Sequence, residues 1–230
     1  MTRARGDAEA GPGEAASELV RLREAGPYGL LAETDSAARA QALYQRLTRG
    51  LGADALAEVE ELVPGARSVL IMARPTAAGA AMLCRLVAVL PAWGSPAADP
   101  GESRLLTLPV RYDGADLAAV AELTGLAVEE LIAMHAGATY TVAFCGFAPG
   151  FGYLTGLPER LRVPRLASPR TRVPAGSVGV AGEFTGVYPR ASPGGWRLLG
   201  RTNAVLWDPD RDPAALLVPG TRVRFQPEDR

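Results

Sequence analysis

Apolar positions in the first 92 residues alternate between two periods. Ala40, Leu43 and Leu47 recur at helical spacing behind Ser36, a residue type that caps helix starts, and the run ends at Gly50. Residues 59–63 and 69–72 are short apolar runs joined by Pro64-Gly65, which predicts two strands and a turn. Thr76 opens a second helix with Met82, Leu83, Leu86 and Leu90 on its buried side, and Pro91 stops it. Residues 28–32 supply a first strand. The order β-α-β-β-α predicts a small two-layer domain over residues 27–92, with helices on one face of an antiparallel sheet. Residues 1–26 read as a flexible extension, because Leu19 and Leu22 give a short helical pattern too little apolar face to bury.

Residues 93–104 hold two Pro, two Gly and two Ser among few apolar side chains, the composition of a linker. A second domain is expected over residues 105–230. It opens with a strand at 105–110. Asp113 then caps a helix bearing Leu117, Val120 and Leu123, and a second short helix runs from Val128 to His135. Two short helices joined at Gly125 have the outline of a helix-turn-helix. The acids Glu129 and Glu130, with no Arg on that second helix to face phosphates, count against it. Apolar runs at 140–144, 178–181, 197–199, 204–207 and 223–225 lie between Gly and Pro turns, which fits a compact β-barrel or sandwich. The fold class is α+β.

Composition narrows the function. The formal charge of −1 over 230 residues is that of an ordinary globular protein and not of a nucleic-acid binder. Every basic residue except His135 is Arg, so there is no Schiff-base lysine and no phosphate loop of the lysine type. Cys84 and Cys145 form no CxxC pair, the usage of a reducing compartment. Residues 1–14 lack the apolar core of a signal peptide, and the most apolar stretch is broken by Arg85 and Pro91. A cytoplasmic protein without membrane contact is expected.

Candidate chemistry concentrates in residues 135–201. Eight Arg face two acids there, Glu159 and Glu183, and 18 of the 55 residues from 146 to 200 are Gly or Pro. A turn-rich β region with a positive field suggests a site for an anion. Gly146, Pro149 and Gly150, together with Gly194 and Gly195, allow backbone N–H groups to approach an oxyanion. Arg170, Arg172 and Arg201 cluster with them, although tight barrel corners also need glycine and proline. His135, the sole histidine, closes a short helix whose C-terminus favours its charged form, so it either caps that helix or does acid–base work. Cys145 stands ten residues on, either as a nucleophile paired with His135 or as a buried apolar position. One His without a Cys or carboxylate cluster cannot hold a metal. Asp208, Asp210 and Asp212 mimic a calcium loop but lack its glycine and terminal Glu, and read as a turn.

The phrases in this region carry a resemblance. Gly146-Phe147-Ala148-Pro149-Gly150-Phe151 with Tyr153-Leu154 comes first. Pro169-Arg170-Thr171-Arg172-Val173-Pro174-Ala175-Gly176-Ser177-Val178-Gly179 follows. Gly186-Val187-Tyr188-Pro189, Ser192-Pro193-Gly194-Gly195-Trp196 and Gly200-Arg201-Thr202 complete it. Together they resemble the B-subunit family of bacterial 5-oxoprolinases, also called the Kip-type sporulation-kinase inhibitor family. They are similar as well to the first-subunit domain of allophanate hydrolase and to part of the carboxyltransferase region of urea carboxylase. The likeness runs from about residue 28 to 225 and is densest after His135.

The resemblance implies a ferredoxin-like N-terminal domain and a cyclophilin-like C-terminal β-barrel. It implies partner subunits C and A, and ATP-dependent opening of 5-oxo-L-proline to L-glutamate, with the ATP site shared with or supplied by the partners. On that footing Arg172 and Arg201 bind carboxylate or phosphate and His135 positions water or shuttles a proton. Gly146, Pro149, Gly150, Arg170, Ser177, Tyr188, Gly194 and Gly195 line the substrate or phosphate site. The family's names leave two other readings open, a protein-binding inhibitor of a sensor histidine kinase and a carboxyltransferase-like subunit acting on a urea-derived amide. The chain departs from the family pattern at Tyr28-Gly29, which lacks a following Asp, at Phe184 in place of Gln, and at Thr221 in place of Asp.

Overall fold

A computed structural model describes residues 20–90 and 105–228. The expected linker at 93–104 and most of the expected extension lie outside the described residues. The N-terminal unit contains β1 (Arg21–Glu24), β2 (Gly29–Glu33), α1 (Ala37–Gly50), α2 (Ala53–Ala57), β3 (Val59–Pro64), β4 (Ser68–Ala73) and α3 (Ala77–Val89). Its antiparallel sheet has the order β1-β2-β4-β3. That is the ferredoxin-like arrangement, with the fourth strand supplied by β1 from the N-terminal side.

The strand β1 corrects the expectation of a flexible extension through residue 26. Arg21–Glu24 has little apolar surface, but its backbone pairs with β2 from Arg21 against Glu33 to Glu24 against Leu30. Sheet hydrogen bonds hold it, with only Leu22 half-buried against the core. The helix starts follow the capping chemistry. The amide of Arg39 donates to Ser36 Oγ at 3.4 Å, and that of Gly79 to Thr76 Oγ1 at 2.9 Å. Leu43 and Leu47 of α1 pack with Met82, Leu83 and Leu86 of α3 over Val69 and Ile71 of β4, and Ala40 is buried on the same helix.

The second unit is a β-barrel. It comprises β5 (Leu105–Val110), α4 (Leu117–Thr124), α5 (Val128–Gly137), β6 (Tyr140–Cys145), β7 (Gly152–Thr155), β8 (Arg170–Val173), β9 (Ser177–Ala181), β10 (Phe184–Val187), β11 (Ser192–Gly194), β12 (Arg197–Arg201) and β13 (Arg222–Pro227). Seven strands form one sheet in the order β12-β9-β10-β7-β6-β13-β5, and β8 with β11 forms a separate ribbon. The sheet curls until its two edges meet. Arg111, just after β5, and Arg201, ending β12, exchange both backbone hydrogen bonds at 2.9 Å. Gly200 lets the edges come that close, since a Cβ there would stand 2.4 Å from the Arg111 carbonyl oxygen. Closing the sheet removes its open edges.

Local expectations fail in three places. Asp113 is not a helix cap; α4 begins at Leu117, and the Asp113 carboxylate instead bonds Arg111 and Arg201 at 3.2 and 2.9 Å across the seam. Leu123, placed on the buried face of that helix by its period, is 55% exposed. Residues 204–207 form no strand; Trp207 makes a single bridge to Ala215, and Arg211 holds the following turn by donating to the carbonyls of Leu206 and Ala214. That turn carries Asp208, Asp210 and Asp212, as the spacing suggests, and the amide of Asp210 closes on Asp208 Oδ1 at 3.1 Å.

Candidate functional site

Tyr188 is the hub around which most of the expected site residues gather. It follows β10 and is 2% exposed. Its amide donates to the Ser177 carbonyl at 2.9 Å, and its own carbonyl accepts from Gly176 at 2.7 Å. On the side-chain end, Gly194 lies flat on the ring, where a Cβ would stand 2.4 Å from the phenolic oxygen. The glycine is therefore needed for close packing. Burial raises the Tyr188 pKa, offset in part by the Trp196 backbone and by Arg165 and Arg170 nearby.

An aromatic cluster extends from this hub. Phe151 meets Tyr188 and Trp196 edge-on, each at 5.4 Å, and Tyr153 stacks on Phe144 at 4.2 Å. Phe184, at the family's Gln position, packs edge-on against Phe144 at 5.7 Å and Tyr153 at 5.8 Å. Over the cluster runs the 146–151 loop. It is pinned by the Phe151 amide to the Ala148 carbonyl at 3.0 Å and the Gly146 amide to the Phe151 carbonyl at 3.2 Å. Gly150 abuts Leu206 and Trp207.

Phe147 is the loop's unusual residue. Its φ is 68°, the left-handed region that a bulky side chain enters only at a cost, and its ring is 58% exposed. It meets Phe151 edge-on at 5.3 Å and Tyr188 at 6.1 Å. A strained backbone holding a large apolar ring toward solvent is a feature of binding sites rather than of cores. Trp207, 44% exposed, lies beside Gly150 of this loop, and Val205 is 61% exposed.

The arginines divide. Arg170 donates from Nη2 to Asp116 Oδ1 at 2.7 Å, while the Leu198 amide donates to Asp116 Oδ2 at 2.7 Å. Asp116 is buried, so this pair fastens the β8–β11 ribbon to the barrel, and Nη1 of Arg170 is buried without a partner. Arg172 is two residues on along β8, hence on the same face, and is exposed. Val173, on the opposite face, is fully buried. Arg201 ends β12, opposite Ser177 of β9. It sits at the barrel seam with its charge against Asp113.

His135 is also elsewhere, and its environment overturns both the cap and the charged form. It is fully buried inside the barrel, stacked on Phe225 at 4.8 Å. Its Nε2 lies 3.0 Å from Thr185 Oγ1, which itself donates to the Gly179 carbonyl, so Nε2 carries the proton. Nδ1 then accepts from the Tyr112 hydroxyl at 2.8 Å. Burial lowers its pKa to about 3 and holds it neutral. The carbonyl of His135 accepts from the Tyr140 hydroxyl at 2.7 Å. Cys145 is not its partner: Sγ donates to the Leu217 carbonyl at 3.2 Å, and burial pushes the thiol up to about 11. At neutral pH that sulfur is no nucleophile.

Sequence reasoning missed Tyr112, Thr185, Asp116 and the aromatic cluster. Only the last left a readable signal, the interleaving of Phe, Tyr and Trp with the glycine phrases. Among the described residues no group of His, Cys, Asp and Glu is placed to hold a metal, and no helix is long and apolar enough to cross a membrane.

The model of the carboxyltransferase domain, subdomain C and D, matches residues 20–217, and the chain belongs to this family. It is 45% identical over 174 residues to the B subunit of 5-oxoprolinase from Escherichia coli O157:H7, covering 74% of this chain and 78% of that protein. It is similar to the crystal structure of TTHA0988, 36% identical with a TM-score of 0.68, over 91% of this chain. The chain spans 41% of that relative's length. Kluyveromyces lactis urea carboxylase has the same fold in part, with a TM-score of 0.65 and 22% identity over 91% of this chain and 22% of that one.

Proposed function

We propose that this carboxyltransferase-domain protein is the B subunit of a 5-oxoprolinase, which opens 5-oxo-L-proline to L-glutamate at the expense of ATP together with subunits A and C. The observation that supports this most is the coincidence of two things. The identity to the Escherichia coli 5-oxoprolinase chain extends over most of that protein, and the phrases behind the resemblance converge around Tyr188 in one surface of the barrel.

A lactam is a poor electrophile. Transfer of the γ-phosphoryl group of ATP to its oxygen, with ADP leaving, makes the ring carbonyl carbon open to attack by water. The C–N bond then breaks with the nitrogen taking up a proton, and a second water releases inorganic phosphate from the acyl phosphate to leave the carboxylate of glutamate. That chemistry needs cations and oriented N–H donors around a developing anion. In this chain Arg172, exposed on β8, is the guanidinium placed to supply charge. Arg170 is committed to Asp116 and positions the ribbon that carries Arg172, Gly194 and Gly195. Arg201 acts through the seam, where Asp113 offsets its charge. His135 is a pin inside the barrel, neutral and bonded at both nitrogens, rather than a proton carrier.

Phe147, Trp207 and Val205 are large apolar side chains left exposed on the barrel, which suits cover by a partner chain. With no lysine phosphate loop in the sequence, the remainder of the ATP site falls to the partners. The direct test is reconstitution: ATP-dependent glutamate release from 5-oxoproline requires this chain and both companions.

A further inference from the structure

A second charged site lies in the ferredoxin-like unit, apart from the barrel. A cleft of about 620 Å³ opens where the ends of β1 and β2 meet the start of α1 and the β3–β4 turn. Arg21, Arg23, Arg39 and Arg67 line it against two acids, Glu33 and Asp35. Those acids are already engaged. Glu33 Oε2 holds Arg23 Nε at 2.7 Å, and Asp35 holds Arg39. Arg21 and Arg67 have no acidic partner among the described residues.

Their placement is set by the sheet. Arg21 stands opposite Glu33 in the β1–β2 register, and the Arg67 carbonyl accepts from the Thr34 amide at 2.8 Å, just past the end of β2. The two unpaired guanidinium groups therefore flank the end of one strand, with two ion-paired ones beside them. Four guanidinium groups against two carboxylates leave the cleft an excess of two positive charges. Ser36 already bonds the Arg39 amide, so the arginines and not the helix end supply the charge.

The walls say what kind of anion fits. Ala66 is the one apolar side chain among the lining residues, and Thr34 and Ser68 complete a polar rim. There is no apolar floor for a base, a ring or an acyl chain. Planar forks of Arg are matched to phosphate oxygens, two N–H groups to two oxygens. We propose that this cleft binds a compact phosphate polyanion, of the pyrophosphate or triphosphate type, through Arg21 and Arg67. This site is independent of the substrate the barrel handles.

The test is isothermal titration of the full chain with inorganic triphosphate at about 0.15 M salt, where a diffuse charge effect is largely screened. One-to-one binding is expected. Arg21→Gln and Arg67→Gln should each weaken it about tenfold or more, the scale of one charge-assisted hydrogen bond. Arg224→Gln, a charge removed from the barrel surface, should leave it unchanged. Circular dichroism of each variant verifies the fold. Absence of binding, unchanged affinity in both cleft variants, or an equal loss in Arg224→Gln would overturn the proposal. So would association with phosphatidylglycerol vesicles without binding of free triphosphate, which would make the cleft a contact for a lipid surface.

Discussion

The hydroxyl of Tyr112 donates to Nδ1 of His135 across 2.8 Å, joining the segment after β5 to the buried face of α5. With Thr185 on the other nitrogen at 3.0 Å, the imidazole ties three separated parts of the barrel together. The ring is held neutral and in place.

That neutrality predicts an acid-sensitive stability. In the unfolded chain the imidazole takes up a proton below about pH 6.5, whereas in the fold it stays neutral down to about 3. Between those values the unfolded state binds more protons. The histidine's contribution is thus complete above pH 6.5 and is lost as pH falls from 6.5 toward 3, by up to about 1.4 kcal/mol per pH unit. Urea unfolding at several pH values should show this slope. His135→Phe should flatten it, while lowering stability at neutral pH because Tyr112 loses its acceptor. An unchanged slope in that variant would assign the acid sensitivity to other groups.

Gly194 is predicted to be intolerant of the smallest side chain. A Cβ 2.4 Å from the Tyr188 hydroxyl forces the ribbon or the ring to move. Gly194→Ala should cost about 1–3 kcal/mol, as other overpacked sites do, and should displace the tyrosine ring. Thermal unfolding and tyrosine fluorescence give the answer; a wild-type melting point would mean that the ribbon is not packed as described.

Phe147 separates stability from function. Phe147→Gly relieves the cost of a φ of 68° and should leave the melting point equal or higher, whereas Phe147→Ala keeps the strained backbone. Both remove the exposed ring, so both should weaken assembly with the partner subunits or turnover of the assembled enzyme. A glycine variant with full activity and full assembly would show that the ring serves neither.

Arg172 and Arg201 are predicted to differ. Arg172→Ala should weaken substrate binding by the assembled enzyme by about 1.5–3 kcal/mol, the value of a hydrogen bond to a charged group. Arg201→Ala should have a smaller effect, because Asp113 already engages that guanidinium at 2.9 Å. Calorimetry on the complex distinguishes them, and equal effects would contradict the division of roles.

The elements of the N-terminal unit are legible wherever a side chain sits beside its own backbone target. Ser36 and Thr76 announce their helices because each bonds an amide three residues on. The strand β1 is not legible, since only Leu22 marks it as apolar and its stability lies in pairing with β2. Asp113 looks like a cap for the same local reason that makes Ser36 one, but its partners, Arg111 and Arg201, meet only when the barrel closes. The glycine phrases of the candidate site are visible as composition, and their meeting point at Tyr188 is not. His135, Tyr112 and Thr185 are separated by 23 and 50 residues, and no local pattern connects them. A histidine near a helix end looks chargeable from sequence, and only burial shows that it is not.

The most direct test of the central claim is glutamate release from 5-oxoproline, measured with ATP, using this chain alone, subunits A and C without it, and all three together. Turnover coupled to ADP formation is predicted only in the complete mixture. Turnover by the single chain would contradict the account, and so would full turnover by A and C in its absence.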